Sequence, residues 1–433
     1  MNENAQRLNK EIESSVIYRL LSQFGKDAFM PNGITVQSNQ CKEKATNYNA
    51  TVGIATLANE PLALGEVRKF FSPLLTNSEV FSYSPSLGNP KLRQAWKKEI
   101  LEKNPSIQGL ISSPIVTAGL TNALFIISRL FIAKGDTVVL PSLYWENYDL
   151  IFDYNTGAKV KKFNFFSAKG FNIKSFKSTL NKIKSDKIVI VLNFPNNPTG
   201  YSPSVNEAEQ IVDTITELAD NGKDVLVILD DAYFSLFYEK NTFKESLFSL
   251  LSNKHERILA IKCDAATKED EVWGFRIGFL TFGVKGGNAE QYKALEDKVN
   301  GVIRSSISNC STSAQNILFR AMTENEERYK TQKAECIEIM KKRYKLFRLE
   351  LIKHRDSFCY LKPLMFNSGY FMSFEVKDGE AENFRKALLN EEGIGVIALF
   401  DKYIRVAFSS LDEEKIPGFL NALYSKAEKF FAN

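Results

Sequence analysis

From about residue 110 to 285, short apolar runs alternate with stretches of helical period: PIVTAG before TNALFIISRLF, then TVVLPS, KIVIVLNF, DVLVILDD, RILAIK and RIGFLTFG. Runs of this density, without polar alternation, read as strands covered on both faces. Strands alternating with helices build βαβ units, so this region is predicted to form a mostly parallel sheet between two helical layers. After KIVIVLNF, the positions Ala208, Ile211, Ile215 and Leu218 set one apolar stripe on a helix over about 204–221, behind a Ser202-Pro203 start signal.

Outside this region the pattern changes. Leu8, Ile12, Val16, Leu20 and Phe24 recur at helical spacing and predict an amphipathic helix over residues 3 to about 26. EERYKTQKAECIEIMKKRYKLFRLELIKH reads as one long charged helix, followed by the strand-like NSGYFMSFEV, a helix, GIGVIALF, YIRVAFSSL and a last helix. That helix is expected to open with a capping box from Ser410 to Glu413 and to bury Ile416, Leu420, Leu423, Ala427 and Phe430. A chain of 433 residues exceeds one core, at about 100–200 residues per domain. The expected division is a small domain built from residues 1–60 and 326–433, α+β in style, and a large domain over 61–325.

The net charge of +5 is spread over 56 basic and 51 acidic residues, with no basic block interleaved with aromatics, so nucleic acid is not an expected partner. No run of 18 apolar residues suggests a membrane span, and MNENAQRLNKEIE lacks the apolar core of a signal peptide. A cytoplasmic protein is expected. The five cysteines, Cys41, Cys263, Cys310, Cys336 and Cys359, form no close pairs and read as free thiols. Only His255 and His354 are present, both read as solvated, which leaves histidine metal sites and Ser-His triads without material. The chemistry has to come from Lys, Asp, Tyr or a cofactor.

Ligands of open parallel sheets sit beyond the carboxyl ends of the strands, and those ends carry the unusual residues. VLNFPNNPTG stops a core strand in a cluster of Asn, Pro, Thr and Gly. DDAY puts Asp230 at the end of the apolar run VLVIL, where a carboxylate is costly unless a cation or donor faces it. A metal site from Asp230 and Asp231 is poorly supported, because neighbouring strand residues point to opposite faces. Lys268, in DAATKEDEVWGFRIG, precedes Arg276 by eight residues, and Gly274 and Gly278 flank that arginine as small residues that allow close backbone approach. TAGLTN joins a strand to a helix N-terminus, where free N–H groups and the helix dipole suit a phosphate.

One cofactor, pyridoxal 5'-phosphate (PLP), uses all of these: a lysine for the Schiff base, a carboxylate facing the pyridine nitrogen, donors to the ring hydroxyl and a phosphate cup. The order NNPTG, DxxY, a lysine eight before the arginine of GxRxG, and a late arginine in YIRVAF resembles the class I (class I/II) aminotransferases of PLP fold type I, over most of the chain. The resemblance implies an aspartate aminotransferase-like fold and a homodimer with shared active sites. It makes Lys268 the Schiff-base lysine and proton shuttle, and Asp230 the partner of the pyridinium. Tyr233 and Asn197 then bind the ring hydroxyl, and Arg276 with the backbone of Gly119, Leu120 and Thr121 holds the phosphate. Arg405 becomes the clamp for the substrate α-carboxylate, whose planar geometry suits a guanidinium fork. Trp145 stacks on the ring, Tyr83 reaches the neighbouring subunit's phosphate, and Gly53 lies at the substrate carboxylate. Around Asn197, the residues Pro195, Pro198 and Gly200 fix the backbone, while Asn193 and Asn196 serve the turn. Ala265 stands where many members have a serine, which shifts one phosphate contact to Thr121 or Thr267.

The implied activity is transfer of an amino group between an L-amino acid and a 2-oxo acid. Arg304, in GVIRSSISNCS, resembles the arginine that binds the distal carboxylate of aspartate or glutamate across the dimer, yet RxxxSN segments also occur in members with aromatic or broad preferences. Two other readings share the motifs: a lyase or synthase that breaks another bond on the same cofactor, and a non-catalytic PLP-binding regulator.

Overall fold

The computed structural model describes residues 34–432 apart from 52, 59 and 71–73, together with residues 3, 6, 9 and 10. The amphipathic helix expected from Leu8, Ile12, Val16, Leu20 and Phe24 lies outside the described residues.

Seven strands make the main sheet: β1 (Ile115–Thr117), β2 (Thr137–Pro141), β3 (Lys159–Phe163), β4 (Lys187–Asn193), β5 (Asp224–Asp230), β6 (Ile258–Ala265) and β7 (Gly278–Gly283). Their spatial order is β1-β7-β6-β5-β4-β2-β3. β7 runs antiparallel to both β6 and β1, while the pairs from β6 across to β3 are parallel. The apolar runs are buried on both faces, as their composition predicts. In β4, Val189 and Val191 enter one core while Ile188, Ile190 and Leu192 enter the other, and β5 divides in the same way. β3 was not among the predicted strands. Its lysines 159, 161 and 162 leave it mostly exposed at the sheet edge, where charged side chains discourage pairing with another chain.

The connecting helices that matter below are α1 (Leu120–Phe131), α2 (Val205–Asp220), α3 (Ala289–Ser306), α4 (Glu326–Leu351) and α5 (Ile416–Phe431). α2 buries the expected stripe of Ala208, Ile211, Ile215 and Leu218. Its cap is Ser204, not the Ser202-Pro203 pair: the Ser204 hydroxyl accepts from Glu207 N–H while the Glu207 carboxylate accepts from Ser204 N–H. The capping box expected at Ser410 does not form. The Ser410 hydroxyl instead donates to the carbonyls of Ala407 and Asn49, and α5 begins later, at Ile416-Pro417, without a side-chain cap. His354 is a further correction, because its ring is half-buried and stacks on Tyr424 with centroids 4.6 Å apart.

A second sheet, antiparallel, contains β8 (Leu361–Pro363), β9 (Phe371–Val376), β10 (Ile397–Leu399) and β11 (Tyr403–Ala407) in the order β8-β9-β11-β10. Its strand β10 packs against the helices Ala381–Glu392 and Ile34–Lys44, and Arg405 of β11 reaches Asn197 beyond the carboxyl end of β4. Residues 48–49 pair in parallel with residues 394–395, so a segment from early in the chain joins the C-terminal part. The seam to the main sheet is tight at Gly200, whose φ is +69° and whose carbonyl accepts from the N–H groups of Asn367 and Ser368. A Cβ there would lie 1.9 Å from the Phe371 carbonyl oxygen, so no side chain fits.

Replacing Ser204 by Ala removes the hydroxyl arm of the capping box, leaving the backbone N–H arm to Glu207, and is expected to lower stability by about 1 kcal/mol, read as a shift of the urea midpoint with turnover unchanged.

Candidate active site

A cleft of about 400 Å³ opens at the carboxyl ends of β4, β5 and β6, beside β9 and β11. Most of the sequence-predicted residues line it: Gly53, Leu120, Thr121, Trp145, Asn197, Asp230, Tyr233, Lys268, Arg276 and Arg405. They arrive from several different turns. Lys268 follows β6, Asp230 and Tyr233 end β5, Asn197 follows β4, and Leu120 and Thr121 open α1 after β1. That convergence follows from the parallel topology, which delivers the C-termini of successive strands to one edge.

Asp230 sits at the floor, 2% exposed. Tyr148 Oη donates to its Oδ2 at 2.5 Å, the Ala232 N–H reaches Oδ1 at 3.1 Å and Asn193 Nδ2 reaches Oδ1 at 3.3 Å. Burial nonetheless pushes the carboxyl up to about 6, against the lowering effects of the Tyr148 and Ala232 hydrogen bonds and the nearby Lys268 ammonium. Asp231 points to the opposite face, where it pairs with the buried Lys262 and accepts from Ser246 Oγ at 2.6 Å. The geometric objection to a metal site on the two aspartates therefore holds.

Lys268 extends over the Tyr233 ring, its Nζ 4.6 Å from the centroid. Burial lowers its pKa to about 8; Asp230 opposes this and Arg276 adds to it. A sizeable neutral-amine fraction at mild pH suits a nucleophile and base.

The turn after β1 offers the donors that an anion cup needs. Gly119, with φ +80°, caps α1 and exposes the first N–H groups of that helix. The Arg276 guanidinium packs against it so closely that a Cβ on Gly119 would lie 2.4 Å from Nη2. A Cβ on Gly278 would lie 2.5 Å from the Gly119 carbonyl carbon, so this glycine presses β7 against the cup. Gly274 has no such role, since nothing lies within 4 Å of its would-be Cβ. Thr121 and Thr267 both line the cleft, while Ala265 is buried.

Arg405, on β11, is 2% exposed. It donates from Nη1 to Asn197 Oδ1 at 2.9 Å and from Nη2 to the Thr51 carbonyl at 2.9 Å, and lies over the Phe371 ring at 4.1 Å. Its Nε has no hydrogen-bond partner, and among the described residues no carboxylate forms an ion pair with it. Burial holds its pKa down at about 10. A buried cation without a counter-charge is costly, and an anionic ligand satisfies it.

Tyr148 and Asn193 are among the residues at the cleft that were not assigned from the sequence. Tyr148 follows Trp145 by three residues, one turn on, and this spacing is the signal that could have found it. Asn193 was read as serving the turn. It is the register partner of Asp230; its amide donates to the Asp230 carbonyl at 2.8 Å and its Oδ1 accepts from Asn197 N–H at 2.7 Å, so it ties two predicted site residues together. Asn196 does serve the turn, accepting from Thr199 N–H and Oγ1. The Phe194–Pro195 and Asn197–Pro198 bonds are both cis. Tyr83 and Arg304 lie outside the cleft of their own chain: Tyr83 is 91% exposed and Arg304 is an exposed residue of α3 that donates to Ser308.

The architecture is that of α/β enzymes that seat a ligand at the carboxyl edge of a parallel sheet, with an aspartate aminotransferase-like arrangement. The model for aminotransferase class I and II matches residues 36–423, and the chain belongs to that family of PLP-dependent enzymes. A probable aspartate/prephenate aminotransferase of Aquifex aeolicus is 29% identical over 54% of this chain, and the matched part spans about half (54%) of that protein. An aspartate aminotransferase of Bacillus sp. strain YM-2 is 26% identical over 73% of this chain and 75% of its own length. Among solved structures, an aminotransferase of Anaerococcus prevotii superposes with a TM-score of 0.83 at 24% identity, covering 94% of this chain and 99% of that one. Among the described residues no helix is long and apolar enough to cross a membrane.

Because the folded pKa of Asp230 is raised, the buried charge opposes folding of the cofactor-free chain above the ordinary carboxylate range. Asp230→Asn is expected to raise the melting temperature of that form by an amount that grows from about pH 4 to pH 7 and is flat above. A gain independent of pH would contradict the assignment.

Proposed function

We propose that the chain binds PLP in this cleft and transfers amino groups between an L-amino acid and a 2-oxo acid. The unpaired, buried Arg405 carries the reading, because it calls for a ligand carboxylate held at fixed distance from Lys268. When bound, the cofactor supplies a sink for the electron pair released at the substrate α-carbon.

The residues present fit the group. The N–H groups at Gly119, Leu120 and Thr121, with the Arg276 guanidinium, suit a phosphate dianion. Asp230 holds a proton at the pyridine nitrogen, and Tyr148 and Asn193 hold Asp230 in line. Asn197 and Tyr233 present donors to the ring hydroxyl, and Trp145 covers one ring face. Lys268 would hold the cofactor through its amine and, when free, is placed to take and hold the substrate α-proton at Nζ. A base with a pKa of about 8 does this near neutral pH without a large mismatch. Arg405 clamps the α-carboxylate with its fork, orienting the Cα–H bond toward that amine.

Three further expectations belong to this reading. Exposed Phe81 and Tyr83, beside a cavity lined by Phe70, Phe275, Arg276 and Ile307, suit a homodimer in which Tyr83 reaches the partner's phosphate cup. A small domain of residues 1–60 with 326–433 beside a large domain of 61–325 suits the parallel pairing of residues 48–49 with 394–395, and a cytoplasmic enzyme suits its free thiols.

A panel of amino acids added to the PLP-loaded protein, with the pyridoxamine form followed by absorbance, tests the proposal directly. Conversion by a donor supports transamination; release of ammonia and a 2-oxo acid without an acceptor would show a lyase instead. Lys268→Ala is expected to abolish turnover, and retained turnover would remove Lys268 from its role. Arg405→Ala leaves Asn197 and the substrate carboxylate without their partner and is expected to cost about 2–5 kcal/mol in kcat/KM, while Arg405→Lys recovers only part.

A further inference from the structure

We propose that Lys42, with Ser38 beside it, reads the distal end of the substrate side chain, so that the preferred amino donor carries a second carboxylate. This rests on the reading of the cleft as an amino-acid site.

Among the described residues that line the cleft, four are cationic, Lys42, Lys268, Arg276 and Arg405, and Asp230 alone is acidic. Three of the cations have work in that reading: Lys268 supplies the amine, Arg276 meets the phosphate and Arg405 meets the α-carboxylate. Asp230 is matched by the pyridinium. Lys42 is left over, and no carboxylate among the described residues forms an ion pair with it. A cleft-lining ammonium left without an assigned partner favours a ligand that carries a further anionic group.

The helix that carries Lys42, Ile34–Lys44, is fixed against the second sheet. Gln37 makes a two-way hydrogen bond with the Ala398 backbone, Nε2 to O at 2.9 Å and N to Oε1 at 2.7 Å. Cys41 is fully buried, its Sγ 3.1 Å from where a Cβ on Gly395 would lie. Gln37 and Cys41 are four apart and define the inward face. Ser38 and Lys42 are the next pair around the helix, also four apart, and both line the cleft. A hydroxyl and an ammonium on successive turns suit the two oxygens of one carboxylate. Arg304, the residue first expected to serve this purpose, lies outside the cleft of its own chain.

Because Lys42 is exposed, the effect is moderate. Lys42→Ala is expected to lower kcat/KM for L-aspartate and L-glutamate about five- to tenfold, mainly through KM, with L-alanine and L-phenylalanine unchanged. Lys42→Arg is expected to restore most of the loss and Lys42→Glu to deepen it. Calorimetric binding of succinate, compared with butyrate, is expected to weaken in the Lys42→Ala protein for succinate alone. Equal losses for all donors, no loss, or a selective loss in Arg304→Ala in place of Lys42→Ala would overturn the proposal. Wild-type protein that aminates no 2-oxo acid, yet binds succinate through Lys42, would sink the transaminase reading and leave this one standing.

Discussion

The structure depends on keeping one carboxylate in an apolar floor. β5 is buried along its length and ends at Asp230, which would be unfavourable as an ion without help. The help comes from three elements: the Tyr148 hydroxyl after β2, the Asn193 amide at the end of β4 and the Ala232 N–H of its own turn. Each also fixes something else. Asn193 positions the Asn197 backbone, Tyr148 follows the turn that carries Trp145, and the Asp230 turn leads directly to Tyr233. The arrangement of the cleft is thus a by-product of satisfying a single buried acid.

The second sheet supplies what the parallel sheet lacks. A strand end can present an amine or a carboxylate, but a guanidinium buried to 2% exposure needs walls on all sides. β9 gives the Phe371 ring, residue 51 gives a carbonyl, and Asn197 gives an amide oxygen across the seam. All three neighbours are neutral, so Arg405 is held in place without being neutralised. Geometry and charge are provided by different partners, and the charge is left for a ligand.

The main sheet and most of the cleft could be read from the sequence because both leave local marks: apolar runs of strand length, and polar residues where such runs stop. Lys268, Asp230 and Asn197 each stand at or beside such a stop, while Arg276, just ahead of β7, and Arg405, within β11, were found through the order of the family's motifs. β3 escaped because an edge strand carries lysines and lacks the apolar signature. The capping box at Ser410 failed because a local pattern competes with tertiary partners, here the carbonyls of Asn49 and Ala407. Tyr148 and Asn193 act through another side chain, and the sequence does not spell out who touches whom across 82 or 37 residues. Ser38 and Lys42 enter the cleft only because Gln37 and Cys41 dock on a strand more than 350 residues later.

The seam at Gly200 has a mechanical consequence. With the Phe371 carbonyl filling the space of a missing side chain and two N–H groups bound to the Gly200 carbonyl, the turn bearing Asn197 and the strand bearing Phe371 cannot slide past each other. The amide that orients the guanidinium and the ring beneath it travel as one rigid plate. A rearrangement of the cleft has its pivot elsewhere, and the separation of Arg405 from Asn197 is held fixed.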